Sequence, residues 1–110
     1  MARTCKYIEE EVDFEAINSH IVRFMTNEGF LLKNYKGRQI WKKGAGPVGI
    51  KKYIMIEHET KGVSLYAWIK VGLGIVGDSE KALTGNFAVS EKQKLLTQLE
   101  QLESIIIRSL

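Results

Sequence analysis

The hydrophobic and polar positions near the start of the chain recur with the period of a helix. The apolar stripe consists of Phe14, Ile17, Ile21, Phe24 and Met25. Asp13 precedes the stripe, where its carboxylate can accept from free backbone N–H groups of the first turn. Gly29 follows it and can adopt the left-handed conformation that ends many helices. The spacing therefore predicts a helix over 14–28.

A second helical pattern fills the C-terminal end of the chain. Its apolar face consists of Leu95, Leu99, Leu102 and Ile106. Ser90 and Gln93 have the spacing of a capping box, in which each side chain bonds the backbone N–H of the other residue. The pattern predicts a helix over 91–108.

Between the two helices, apolar and polar residues alternate with the period of β-strands. The alternation predicts strands at 30–35, 38–43, 50–60 and 63–71, and a short one near 84–89. Lys36-Gly37 and Lys61-Gly62 are the expected turns of two hairpins. If the first turn has two residues, Tyr35 lies opposite Arg38 and the register is set. Residues 1–12 are expected to be mobile or to form an edge strand.

The alternation gives the sheet two different faces. In the longer hairpin one face is aliphatic, which is typical of a core side. Two helices and tight hairpins predict a two-layer α+β fold. We expect a mainly antiparallel sheet of four to five strands, with the N-terminal and C-terminal helices on one face. The length of 110 residues favours a single domain over 1–110.

The composition bears on the cellular compartment in which the protein is expected. Cys5 is the only cysteine, so the chain can form neither an internal disulfide nor a cysteine-rich zinc site. The first residues lack the apolar core of a signal peptide, and no apolar run reaches the roughly 20 residues of a transmembrane helix. These features predict a reducing, cytoplasmic location without a transmembrane segment.

Charge is unevenly distributed, although the net charge is only +3. The stretch 33–52 contains seven basic residues and no acid. Residues 9–15 carry the opposite sign. Such asymmetry can attract an anionic partner, and it can equally serve solubility.

Two glycine-rich loops match the GxGxxG pattern of dinucleotide sites, at 44–49 and 72–77. That site needs a preceding strand and a following helix, whose N-terminus meets the pyrophosphate. The first loop is followed by a strand pattern, and the second by a segment too short for a crossover helix. Neither loop therefore favours nucleotide binding, and no cofactor is expected.

The residues that usually carry catalysis are isolated in this sequence. His20 lies within the first helical pattern, and His58 lies between two glutamates near a strand end. Neighbouring strand residues point to opposite faces, so His58 and Glu57 cannot share a metal ion. Nothing near Cys5 in sequence would clearly activate its thiol. The sequence does not favour an enzyme, and it predicts no catalytic or metal site.

The strongest candidate for function is the second face of the sheet, which we call the basic–aromatic face. Its predicted residues are Lys33, Tyr35, Arg38, Lys42, Lys51, Tyr53, Met55, Tyr66, Trp68 and Lys70. Rings interleaved with cations on an open sheet can bind single-stranded nucleic acid or a small anionic ligand. A large apolar patch on a small protein also commonly marks a subunit interface.

Three stretches resemble small uncharacterised α+β domains of Gram-positive bacteria: EGFLLKNYKGRQIWKKG, YAWIKVG and SEKQKLLTQLEQLE. A similar strand end, with an aromatic residue followed by Lys-Lys-Gly, precedes an apolar loop in those domains. The likeness covers about residues 14–103 and departs from the pattern at the loop GAGPVG. It implies a bacterial, compact α+β domain and no particular activity.

Together these features predict a non-catalytic binding or protein-interaction module that uses the basic–aromatic face. The expected partner is a second copy of the chain, in a homodimer, or another protein. The alternative is that the same residues bind nucleic acid or another polyanion. Salt dependence would favour the alternative, because each neutralised phosphate releases counterions.

Overall fold

The computed structural model describes residues 3–35, 38–44, 48–73, 78–81 and 89–109. For residues 34, 35, 38, 48, 49, 71–73, 78–81 and 89 it describes the backbone only. The elements are β1 (Thr4–Ile8), α1 (Phe14–Asn27), β2 (Leu31–Tyr35), β3 (Arg38–Lys43), β4 (Val48–Glu59), β5 (Gly62–Leu73), β6 (Asp78–Lys81) and α2 (Val89–Arg108).

The ends of α1 are those that the sequence predicts, to within one residue. The Asp13 carboxylate accepts a hydrogen bond of 3.3 Å from the backbone N–H of Ala16, which confirms the predicted cap. Gly29 has a φ of +88°, in the left-handed region where other residues are strained. The chain then turns back, and the N–H of Phe30 donates to the carbonyl of Met25.

The strands form one antiparallel sheet in the order β1-β5-β4-β3-β2, with β6 also paired to β5. The prediction of an antiparallel sheet with two helices is confirmed: in the described part of the chain five strands follow one another across the sheet, at the upper end of the predicted four to five, and β6 lies off this path. The additional strand, β6, has the sequence DSEK, whose polar residues give no alternation to recognise. Most of the predicted strand at 84–89 lies outside the described residues, and its last residue, Val89, begins α2.

The hairpin registers decide which residues share a face. Tyr35 lies opposite Arg38, as predicted for a two-residue turn. In the longer hairpin Glu59 lies opposite Gly62, so the turn is at residues 60–61 and not at Lys61-Gly62. This correction changes the pairing by two residues, so that Tyr53 lies opposite Trp68 and not Lys70, and an even shift leaves each side chain on its side of the sheet. The faces predicted for β4 and β5 are therefore kept.

The outer edge of β5 is shared by two strands that are distant in sequence. β1 pairs with it from Val63 to Ala67, and β6 pairs with it from Ile69 to Gly72. Trp68 lies between these two stretches, and among the described residues it is the position of β5 that pairs with neither β1 nor β6.

The core combines buried residues of both helices with those of the aliphatic face of the sheet. One cluster of buried residues combines Ile17, Ile21 and Met25 of α1 with the four predicted apolar residues of α2 and the aliphatic residues of β4 and β5. Trp41 of β3 is also buried here, 2% exposed, and its indole N–H donates to Gln39 at 3.3 Å. Gln39 in turn donates to Asn18 of α1 at 2.7 Å, which connects sheet and helix.

The start of α2 differs from its prediction. The helix begins at Val89, so Ser90 is already inside the first turn and is not the capping residue. Glu91, in this first turn, forms an ion pair that joins the helix to the sheet: its carboxylate lies 2.7 Å from Lys52 of β4. A carboxylate is also favoured near a helix N-terminus by the helix dipole.

Candidate binding face

The sheet register brings the ten predicted residues of the basic–aromatic face onto one side of the sheet. Tyr53 lies opposite both Lys42 and Trp68, and Met55 lies opposite Tyr66. Lys33 is placed on the same side by its position opposite Ile40. None of the eight whose side chains the structure describes belongs to the buried core cluster. The side chains of Tyr35 and Arg38 lie outside the described residues, and only their backbone positions place them here.

Tyr53 is the centre of this face. Its ring stacks on that of Trp68, with parallel planes and centroids 5.2 Å apart. The ammonium groups of Lys70 and Lys42 lie 5.4 Å and 6.0 Å from the Tyr53 centroid. At these distances a cation is attracted by the ring quadrupole. A half-buried aromatic ring is thus held between two cations that come from different strands.

Trp68 is enclosed. The guanidinium of Arg3 lies 3.7 Å from the centroid of its ring, and the Tyr53 ring is stacked on it, so the three groups form one connected stack. Only 3% of Trp68 is exposed. Its indole N–H is buried without a hydrogen-bond partner among the described residues.

The centre of the basic–aromatic face is therefore less open than the sequence suggests. Trp68, Met55 and Lys51 are buried, with exposures of 3%, 4% and 8%. Lys42, Lys70, Tyr53 and Tyr66 are partly exposed, and Lys33 is exposed. The accessible part of the face is a basic and tyrosine-rich rim around a closed Trp–Met centre.

Like charges meet on this face. Lys51 of β4 lies directly opposite Lys70 of β5, an arrangement that is unfavourable for two cations unless negative charge is nearby. The backbone register also places Glu80 of β6 beside Lys70, and Glu57 lies on this face towards the far end of β4. On the β2–β3 side, Lys33 and Lys42 have no acid opposite them in the register. The positive charge is thus least balanced near β2 and β3.

A polar groove lies on the other side of the molecule, between α2 and the end of β3. It has a volume of about 430 Å³ and is lined by three lysines, Lys43, Lys52 and Lys94, with Glu28 and several amide and hydroxyl side chains. One of these lysines, Lys52, is paired with Glu91 of α2. Lys52 lowers the pKa of Glu91 below its ordinary value by its hydrogen bond and its charge. This pairing gives the buried lysine a structural role.

Sequence reasoning missed this ion pair, although one sign of it was visible. Lys52 interrupts the aliphatic stripe between Ile50 and Ile54, so its side chain has to point to the core face. A lysine at such a position requires a partner carboxylate. The sequence could not say which of the many glutamates provides it.

The isolated residues considered for catalysis remain separate from one another in the structure. His20 is exposed on α1 and lines a shallow groove with Arg23, Phe24 and Arg108. The His58 ring stacks on Phe14, with centroids 5.2 Å apart, and so helps to hold the start of α1 against β4. Cys5 is exposed on β1. Across the described part of the chain, no three His, Cys, Asp or Glu residues are grouped so that they could hold a metal ion.

The two glycine-rich loops lie mostly outside the described residues, but the elements that follow them are described. The first leads into β4 and the second into β6, so each is followed by a strand. Val48 lies opposite Leu73, which places the flanks of both loops at the same end of the β4–β5 ladder. The helix that a dinucleotide site requires after the motif is present at neither position.

Comparison with protein-family models, with curated proteins and with solved structures finds no match to this chain. The resemblance to Gram-positive domains therefore stays a prediction. Within the described residues, neither helix has the length and apolar character needed to cross a membrane.

Proposed function

We propose that the chain is a non-catalytic interaction module whose basic–aromatic face binds an acidic partner protein. The observation that carries the proposal is the position of Tyr53 between Lys42 and Lys70. A half-buried tyrosine offers contact area at low entropic cost, and the flanking lysines offer charge complementarity to carboxylates.

The fold supports this use of the face. In the two-layer arrangement that we propose, both helices cover the aliphatic face, since the buried residues of α1 and α2 share a cluster with that face. The basic–aromatic face is then the broad side of the sheet that remains for a partner. The homodimer is less well supported than an acidic partner, because two copies joined through this face would bring their lysines together.

Binding of single-stranded nucleic acid through the same face is the second candidate. Lys33 and Lys42 could pair with phosphates, and Tyr53 and Tyr66 are partly exposed. Trp68, however, is only 3% exposed, with Arg3 and Tyr53 already against its rings, and is not available to stack on a base. The enclosed tryptophan is the reason why we place an acidic protein first.

The test compares two immobilised probes, polyglutamate and oligothymidylate, by surface plasmon resonance at several salt concentrations. We expect polyglutamate to bind, and Lys42→Glu to weaken it by about tenfold or more. Lys61→Glu is the matched control, because Lys61 is an exposed lysine at the β4–β5 turn and undergoes the same change of charge.

Equal losses in Lys42→Glu and Lys61→Glu would mean that only net charge matters, and would contradict the proposal. Preference for oligothymidylate over polyglutamate, with a loss in Tyr53→Ala, would instead support nucleic acid. Sedimentation of the wild-type protein tests the homodimer. The cytoplasmic location and the bacterial origin stay predictions.

A further inference from the structure

The edge strand β2 carries two exposed leucines. It stands at one end of the strand order and, among the residues that the structure describes, pairs only with β3. Leu31 is 71% exposed and Leu32 is 41% exposed, and Lys33 beside them is also exposed. Phe30, immediately before the strand, is only 2% exposed. The side chains therefore become exposed at the residue where the edge strand β2 begins.

An edge of this kind offers unpaired backbone groups as well as side chains. Every second residue of an edge strand turns its N–H and C=O groups outwards, where an incoming strand can pair with them. Proline, one of the devices that prevent such pairing, is absent from the β2 sequence LLKNY. Lys33 is the only charged residue in that sequence, and an edge lysine discourages pairing with another basic strand.

The side chains around this edge determine which strand it would accept. On the basic–aromatic face, Leu31 and Lys33 border a shallow groove of about 270 Å³ that Lys42 also lines. On the other face, Leu32 presents an exposed apolar side chain. A complementary strand would place acids near Lys33 and Lys42 on one side, and an apolar side chain beside Leu32 on the other.

A second copy of β2 fits this edge poorly. In a symmetric antiparallel pair centred on the strand, Lys33 of one copy would lie directly opposite Lys33 of the other. Like charges directly opposite each other on neighbouring strands are destabilising. The charge of the edge therefore favours a partner of opposite sign.

We propose that β2 binds an extended segment of the acidic partner as an added strand, with acidic and apolar residues in alternation. This inference rests on the proposed function, because Lys33 and Lys42 belong to the basic–aromatic face. It adds the mode of recognition: backbone pairing provides affinity, and the lysine pair on one side of the strand with Leu32 on the other provides selectivity.

The test uses a synthetic eight-residue peptide of alternating glutamate and valine, and the same peptide with N-methyl groups on alternate residues. N-methylation removes backbone donors and leaves the charge unchanged. We expect the unmodified peptide to bind and to slow hydrogen exchange of the protein's backbone amides at residues 31–33. N-methylation on the pairing edge of the peptide should weaken its binding by about tenfold or more. Leu32→Lys should weaken binding similarly.

Ile107→Lys is the matched control, since Ile107 of α2 is 49% exposed and lies on another element. The proposal is overturned if the unmodified peptide does not bind at millimolar concentration. It is also overturned if N-methylation leaves binding unchanged whichever set of alternate residues carries the methyl groups. A wild-type dimer that Leu32→Lys dissociates would overturn it as well, because a second copy would then occupy the edge. If polyglutamate binding depends on Lys42 while Leu32→Lys leaves both probes unaffected, strand addition fails and the proposed function stands. If no probe depends on Lys42, both fail.

Discussion

Lys52 and Glu91 connect the aliphatic face of the sheet to the first turn of α2, with Nζ and Oε2 2.7 Å apart. The lysine is 8% exposed, whereas about a third of the glutamate side chain is exposed. The two partners are therefore unequal. The lysine would be left buried without a carboxylate if the pair were broken, while the glutamate could be hydrated.

This asymmetry predicts opposite outcomes for the two single substitutions. Glu91→Gln should lower the free energy of unfolding by about 1–3 kcal/mol, because the buried charge loses its carboxylate. Lys52→Met should be near neutral or stabilising, because an apolar side chain suits its surroundings. Urea denaturation at pH 7 measures both. A larger loss in Lys52→Met than in Glu91→Gln would contradict this reading of the pair.

The same pair predicts a pH dependence. The pKa of Glu91 is lower in the folded chain than its ordinary value of 4.5, because Lys52 stabilises the carboxylate. The ionised carboxylate thus stabilises the fold above pH 4.5, and this contribution is lost as the pH falls through the lower folded pKa. The stability difference between wild type and Glu91→Gln should shrink on acidification below pH 4.5. A difference that stays constant would exclude this titration.

We predict that Trp68 contributes mainly to the stability of the fold, although it lies on the candidate binding face. Trp68→Ala should lower the free energy of unfolding by about 3–5 kcal/mol, since it removes a large buried side chain. Tyr7→Ala is a suitable control on the same sheet. Tyr7 is 48% exposed, and its removal should cost about 0.5 kcal/mol. Similar losses for both would show that Trp68 is not enclosed in solution.

Gly62 is predicted to be required for the docking of β1. A Cβ at this position would meet the carbonyl oxygen of Ile8, and would lie 2.6 Å from the Tyr7 hydroxyl. Gly62→Ala should therefore destabilise the protein by about 1–3 kcal/mol and increase hydrogen exchange in β1. Gly29→Ala should cost about 1–2 kcal/mol through its positive φ instead, with faster exchange at the end of α1. Unchanged exchange in β1 of Gly62→Ala would contradict the close approach.

Much of this architecture could be predicted because it depends on neighbouring residues. Asp13, the apolar stripe and Gly29 define α1 within a single stretch of chain. The register of the β2–β3 hairpin follows from a two-residue turn. The sides of the sheet follow from alternation alone, and for that reason even the shifted β4–β5 turn left the predicted faces intact.

The features that could not be predicted depend on residues far apart in the chain. β6 has a polar sequence and is a strand only because the edge of β5 accepts it. The burial of Trp68 depends on Arg3, which no local pattern relates to it. The partner of Lys52 depends on where α2 lies on the sheet. Sequence reasoning therefore predicted which residues share a side of the sheet, but could not show that the centre of that side is closed.

The shared outer edge of β5 has a consequence for the order in which the molecule assembles. The β4–β5 hairpin can form early, because its strands are joined by a two-residue turn and close only a short loop. β1 can pair with β5 only when the long loop between them, which contains α1, β2 and β3, has closed. β6, in contrast, follows β5 closely in sequence. Trp68, at the boundary between the two, is then the position at which an early and a late part of the sheet meet.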